Sequence, residues 1–227
     1  MPKKTARTGR RPDALSKDRI VEAAIAILDA DGERALTFTV LTERLSTGAG
    51  AIYWHVANKD ELLSAAADHA ISGALAGHAG GDSPNDEVRA ITLAVFDAID
   101  AHPWVGTQLS REPWQPAVLR IFDRVGSQLG ALGLADKPMF DSASALVNFV
   151  LGLAGQYAAG ARLIPAGTDR SAFLEAVAAR WTQLDSEEYP FVHQLAAQLP
   201  EHDDRHQFLA GIDIILAGIA TLHPQAR

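Results

Sequence analysis

Residues 36–63 read LTFTVLTERLSTGAGAIYWHVANKDELL. Thr37 has the side chain of a helix N-cap, a hydroxyl able to accept from a free backbone N–H of the first turn. Val40, Leu41 and Leu45 follow at helical spacing, so a first helix of about nine residues is expected. Ser46 and Thr47 then interrupt the pattern with side chains that compete for backbone hydrogen bonds, and Gly48 adds a residue that tolerates positive φ. A second helical run resumes over residues 49–55. Helix, short turn, helix is the helix-turn-helix plan, whose second member enters the major groove of DNA. Within that second run Ile52 and Val56 sit four apart and should face a core, which turns Ala49, Tyr53 and Trp54 outward.

Ala51-Ile52-Tyr53-Trp54-His55-Val56, followed by Asn58-Lys59 and Leu62-Leu63, resembles the DNA-binding domain of the tetracycline-repressor (TetR) family of bacterial transcription regulators. Upstream, RIVEAAIAILDADGERALT (residues 19–37) fits the family's first helix and its glycine-containing exit, so the resemblance spans roughly residues 15 to 68. It implies that Thr37, Thr47, Tyr53, Trp54, His55 and Lys59 lie near phosphates, and that Gly48, Ala49, Gly50 and Ala51 approach base edges. The residue chemistry agrees, since hydroxyls, an indole N–H, imidazole and an ammonium are all phosphate donors.

Gly48-Ala49-Gly50-Ala51 carries no side-chain donor or acceptor, so bidentate readout of bases from these positions is impossible. What remains is apolar contact of Ala49 or Ala51 with thymine methyls, close backbone approach at the glycines, and selectivity through DNA shape. Two glycines also cost such a helix about 1 kcal/mol each relative to alanine, so a loosely formed reading helix is expected before DNA is bound.

At 227 residues with 48% hydrophobic content, the chain can bury a sizeable core as one small and one larger domain. Cysteine is absent, which excludes disulfides, thiolate metal sites and a cysteine nucleophile. No apolar run of membrane-spanning length and no signal-peptide pattern is read from the sequence, and a cytoplasmic protein is expected. The net charge of −8 would repel a polyanion if it were spread evenly, but residues 1–60 carry ten basic and eight acidic groups against ten and twenty in residues 61–227. The basic end is therefore the expected DNA end, with salt-sensitive affinity. Residues 1–14 form a basic arm too polar to pack, from which Arg10 and Arg11 are candidates for an adjacent minor groove; a solubilising tail without defined contacts is the alternative.

Beyond Lys59 the pattern is helical throughout, giving an all-α chain: a three-helix helix-turn-helix domain over residues 15–68 and a larger helical ligand-binding and dimerisation domain over 69–227. Asn58 is placed to cap a helix over about 59–75, and further helices are expected at 86–101, 114–132, 141–163, 171–184, 189–199 and 205–222. The stretches SALVNFVLGLAGQYAAGA and FLAGIDIILAGIATL are apolar nearly all round, so each needs cover on more than one side. One face packs on its own subunit and the other on a twofold mate, with Leu151, Gly152, Gly155, Ala159, Ile212, Ile215, Leu216 and Ile219 as seam candidates; two central helices of a monomer are the alternative. The carboxy-terminal half is similar to the ligand-binding and dimerisation domain of the tetracycline-repressor subgroup, and dimerisation would set two reading helices on a palindromic operator.

For a small-molecule effector, Phe96, Trp104, Trp114 and Phe122 offer aromatic walls, and Thr107, Asn148, Gln156 and Tyr157 a few polar groups, the usual make-up of such a pocket. Each of these has a bland reading as core, solvent-facing or seam residue. Val105-Gly106-Thr107 resembles the pocket segment of the family's founding member, but Trp104 and Leu75 stand where metal-binding histidines are implied, so magnesium-chelated tetracycline is not the expected ligand. His202 and His206 have metal-ligand spacing beside Asp203 and Asp204, and a solvated helix start is the preferred reading. No metal and no cofactor are expected. Dinucleotide, phosphate-loop, HExxH and GxSxG signatures are missing, so no enzyme is expected. The expected activity is that of a ligand-responsive regulator binding duplex DNA as a homodimer, most simply a repressor released by its effector. The alternative is a helical protein that sequesters small molecules and binds DNA weakly.

Overall fold

Ser16 accepts from the Arg19 N–H at 3.2 Å and starts α1 (Lys17–Asp31). That helix buries Ile20, Val21, Ala24, Ile27 and Leu28 and ends at Gly32, whose φ of 74° lets its N–H return to Leu28 O. In this computed structural model the described backbone comprises residues 15–161 and 169–224, and side chains are described for all of these except 157, 158 and 161. The chain separates into two compact units that divide between His69 and Ala70.

In the amino-terminal unit, α2 (Phe38–Leu45) is capped by Thr37, whose Oγ1 accepts from the Val40 N–H at 3.2 Å. The exit from α2 departs from the sequence expectation: the left-handed residue is Ser46 (φ 49°), whereas Gly48 has an ordinary φ of −86°. The cause is a Schellman closure, in which Thr47 N–H bonds Thr42 O at 3.0 Å and Ser46 N–H bonds Glu43 O at 3.2 Å. A short α3 (Ala49–Tyr53) follows, two residues shorter than the sequence pattern, and supplies Ile52 to the core. Asn58 Oδ1 accepts from the Glu61 N–H at 2.8 Å and opens α4 (Lys59–Gly77). Leu36, Leu41, Ile52, Val56, Leu62 and Leu63 are each at most 2% exposed, and every such side chain contributes about 1.5–3 kcal/mol by burial. The unit boundary falls inside α4, whose later residues Ile71 and Leu75 belong to the second core.

Proline at the first helical position opens the first three helices that begin in the second unit: α5 (Pro84–Ala101), α6 (Pro103–Arg111) and α7 (Pro116–Ala131). The long α8 (Asp136–Ala161) comes next, then α9 (Arg170–Trp181), α10 (Pro190–Leu195), a 3₁₀ helix over Ala196–Glu201, and α11 (Asp204–Leu222). α8 packs against α5, α6, α7 and α11, and their shared core is lined by Val95, Val105, Ile121, Leu146, Val150, Phe208 and Ile212 among others. α9 packs on the 3₁₀ helix to one side. α6 is not among the helices expected from periodicity: nine residues between two prolines repeat too few times to register. α8 starts five residues earlier than expected because Pro138 falls in its first turn, where a missing N–H costs nothing. By length and mean hydropathy (1.2), Asp136–Gln156 would pass for a membrane span, contrary to the sequence reading. About a third of that stretch is buried, where α5, α6, α7 and α11 pack on it.

Candidate nucleic-acid interface and ligand clefts

With Ile52 and Val56 buried beneath it, the α2–turn–α3 segment turns Gly48, Ala49, Gly50, Ala51, Tyr53 and Trp54 to solvent. Trp54 is 86% exposed, an unusual position for an indole unless a partner covers it. Thr37 is exposed at the start of α2, while Thr47 and His55 are half-buried at the two ends of the turn–α3 segment. Thr37 Oγ1 accepts within α2 and so keeps its O–H free to donate. Lys59 is half-buried, and its Nζ donates to Glu33 O at 2.7 Å, tying the start of α4 to the α1–α2 turn. Arg10 and Arg11 lie outside the described residues.

Neither Gly48, which precedes α3, nor Gly50 within it is required by the fold of the free chain. Gly48 and Gly50 have ordinary φ, and a Cβ built on either would meet nothing within 4 Å. One residue escaped the sequence reading. Phe38, half-buried at the first position of α2, stacks on Tyr53 with ring centroids 4.6 Å apart and planes 8° from parallel. No periodicity connects positions fifteen apart in chain, so only the crossing of α2 and α3 shows the pair.

Glu61 holds the base of the unit together. Its Oε2 accepts from the Ala57 N–H at 2.8 Å and its Oε1 from Lys17 Nζ at 3.0 Å. The Ala57 hydrogen bond, then the one from Lys17, keeps its carboxyl below the ordinary glutamate value.

Described residues of the second unit line the following clefts. One of about 550 Å³ lies between α5, α9 and the start of α11, walled by Phe96 and Leu174 and edged by Asp97, Asp100, Arg170 and Arg205. Here Arg205 pairs with Asp97 at 3.2 Å, and Asp204 pairs with Arg170 and, at 3.1 Å, with His202. Burial, and next the charge of Asp100, push the Asp204 carboxyl above its usual range. A neighbouring cleft of about 440 Å³ adds Leu153, Gln156 and Phe173. A third, about 510 Å³, opens on the outer side of α8 and α11 between Asn148, Gly152, Gln156, Ala210 and Ile214.

No one of these brings the effector residues expected from sequence together as a set; the third joins only Asn148 and Gln156. Phe96 lines the first cleft, Gln156 the second and third, and Asn148 the third. Trp104 and Phe122 pack half-buried against the core, Thr107 is half-buried on α6, and Trp114 is 77% exposed between α6 and α7. The side chain of Tyr157 lies outside the described residues. The seam set also divides, and three of its members need correction: Ile212, Leu216 and Ile219 fill the unit's own core, and Ile215 is packed against it. On α8, Leu151 likewise packs partly on the core, Gly155 is half-buried, and Gly152 and Ala159 are exposed. The outer face of α11 is instead Ala210, Ile214, Gly218 and Leu222, with Ile214 73% and Leu222 76% exposed. On a helix apolar all round, composition does not say which side is turned inward. Asp203 caps α11 by accepting from the His206 N–H at 2.9 Å and His202 precedes the helix, so the two histidines do not share a helical turn.

Two sequence-family models match the chain: Bacterial regulatory proteins, tetR family, over residues 20–66, and Tetracyclin repressor-like, C-terminal domain, over residues 79–223. An HTH-type transcriptional regulator of Saccharopolyspora erythraea is 31% identical over 222 residues, spanning 96% of this chain and 89% of its own length. The solved structure of SCO7222, a TetR regulator of Streptomyces coelicolor, superposes with a TM-score of 0.80 at 48% identity, covering 92% of this chain and 99% of that one. ActR of Streptomyces coelicolor, solved in complex with actinorhodin, gives a TM-score of 0.72 at 26% identity over 91% of this chain and 97% of its own. The two-unit all-α architecture, the aromatic-ended helix-turn-helix and matches over nearly the whole length show that the chain belongs to the TetR family of bacterial transcription regulators.

Proposed function

We propose that the chain represses transcription as a homodimer on a palindromic operator and is released by a small-molecule effector bound in its second unit. The observation that carries this reading is the exposed Tyr53-Trp54 pair at the end of a short helix whose Ile52 is fully buried: the core fixes the helix, and the aromatic tip is left for a partner. A polyanion suits the donors beside it, the hydroxyls of Thr37 and Thr47, the indole of Trp54 and His55, and donors of this kind position a protein on phosphates. Base discrimination then falls to Ala49 and Ala51 on thymine methyls and to duplex shape.

Twofold pairing is supported by the outer sides of α8 and α11. Gly152, Ala210 and Gly218 keep that surface low, and the exposed Ile214 and Leu222 give it apolar area of the kind a subunit seam covers. On this arrangement Asn148 and Gln156, exposed on α8 beside Gly152, belong to the seam side of the helix. For the effector, the neighbouring clefts around Phe96, Leu153, Phe173 and Leu174 offer apolar walls with charged edges. The complex of ActR with actinorhodin, a relative with a bound small molecule, supports an effector site of this kind. Cytoplasmic residence follows from action on the chromosome.

The test is enrichment of duplexes by the full chain from a random pool, followed by salt titration against a scrambled duplex of equal length. A palindromic consensus bound by a dimer, at least about 1,000-fold tighter than the scramble, is the expected result. Sedimentation as a monomer with no sequence preference overturns the reading. Release of the enriched duplex by no member of a natural-product screen would overturn the effector part alone.

A further inference from the structure

We propose that Phe38 is a positioning residue for DNA recognition: its ring holds Tyr53 in the orientation in which the phenol meets the phosphate backbone. This rests on the DNA-binding reading above. Three observations carry it. First, the rings are nearly parallel, 8° apart, with centroids separated by 4.6 Å, so one face of Tyr53 is covered by Phe38. Second, neither ring belongs to the unit's buried core, and Tyr53 stays 54% exposed, so the pair contributes little to holding the helices together. Third, the Tyr53 hydroxyl has no hydrogen-bond partner among the described residues, while the only side chain that α3 buries is Ile52.

The stack answers a problem peculiar to this α3. The helix is five residues long, starts at Gly48 without a side-chain cap and contains Gly50, so its own hydrogen bonds define the direction of its last residue poorly. A surface tyrosine on such a helix samples several rotamers, and immobilising it on DNA then costs affinity. Phe38 sits at the first turn of α2, which Thr37 caps and Leu41 anchors in the core. It therefore offers a fixed platform, and offset-parallel stacking restrains both side-chain torsions of Tyr53 before DNA arrives. The ordering is paid within the free protein.

The experiment measures binding of full-length variants to a duplex enriched by the wild-type chain from a random pool, with thermal melting alongside. Phe38→Ala and Phe38→Leu are expected to weaken binding about five- to tenfold, whereas Phe38→Tyr, which keeps the flat ring, retains it. Melting temperatures of Phe38→Leu and wild type should agree within about 2 °C. Because Phe38 acts through Tyr53, Phe38→Ala should have no further effect once Tyr53→Ala is in place, and the Tyr53 ring protons should lose their ring-current shifts in Phe38→Leu without DNA. Wild-type affinity in Phe38→Leu, or additive losses in the double variant, would overturn the proposal while leaving DNA binding intact. Failure of the wild-type chain to enrich any duplex overturns the DNA reading, and the positioning role with it.

Discussion

Lys59 Nζ donates to the backbone carbonyl of Glu33 across 2.7 Å, so the ammonium expected at a phosphate also closes the α1–α2 turn. The two uses are compatible, because an ammonium has three N–H donors and the carbonyl takes one. Lys59→Met should lower the stability of the helix-turn-helix unit by about 1.5–3 kcal/mol, the worth of a hydrogen bond to a charged group. If the remaining donors meet phosphate, the same variant also reduces the slope of log affinity against log salt by about 1 per protomer. Denaturant unfolding checks the first effect and a salt titration the second; an unchanged slope would assign Lys59 to structure alone.

The glycines of the reading segment stand beside the position that would profit from one. Ser46 is left-handed at φ 49°, while Gly48 and Gly50 have ordinary φ and open space around a built Cβ. Ser46→Gly and Gly50→Ala should each stabilise the free unit by about 0.5–1 kcal/mol. Slower amide exchange at Leu41 and Ile52 reads the gain, and faster exchange in either variant contradicts the backbone argument.

Gly106 illustrates a glycine that packing does require. A Cβ there would lie 2.5 Å from Ala154 O and 3.1 Å from Ile99 Cγ2, so α6 and α8 would have to part. Gly106→Ala should destabilise the second unit by about 1–3 kcal/mol, a fall of several degrees in melting temperature. Melting at the wild-type temperature would mean the two helices slide apart without cost.

Acid should loosen the helix-turn-helix unit through Glu61. Its folded-state value is lowered, first by the Ala57 N–H and then by Lys17, so its stabilising contribution is complete above the ordinary value of 4.5 and is lost as pH falls below it toward the folded value. Amide protection over residues 60–67, corrected for intrinsic rates, should therefore drop between pH 5 and about 3. Glu61→Gln should start lower and flatten that dependence; an equally steep loss in the variant would shift the cause to other carboxylates.

Ile214, 73% exposed at the middle of α11, is the sharpest probe of pairing. Ile214→Glu should leave the folded protomer within about 0.5 kcal/mol of wild type, yet raise the dimer dissociation constant at least about 100-fold, because twofold symmetry buries the new charge twice. Sedimentation velocity reads the outcome. A dimer of wild-type strength would move the seam to another face.

The helix-turn-helix was legible because its signals are local. Thr37 and Asn58 cap helices from their own side chains, and Ile52 and Val56 mark the inner face by spacing alone. Local chemistry also reported the all-α class, the two-part charge distribution and the aromatic tip at Tyr53-Trp54. Where several residues satisfied the same local rule, the chain alone could not choose: Ile212 and Ile214 are equally hydrophobic and two apart, yet one is 0% and the other 73% exposed, and only the packing of α11 against α5 and α8 separates them. The Phe38–Tyr53 stack, the Lys59–Glu33 bond and the left-handed Ser46 depend on how helices cross and how a turn closes. Those are relations between distant residues, and their energies exist only once the backbone has brought the partners within a few ångströms, which is why tertiary structure decided them.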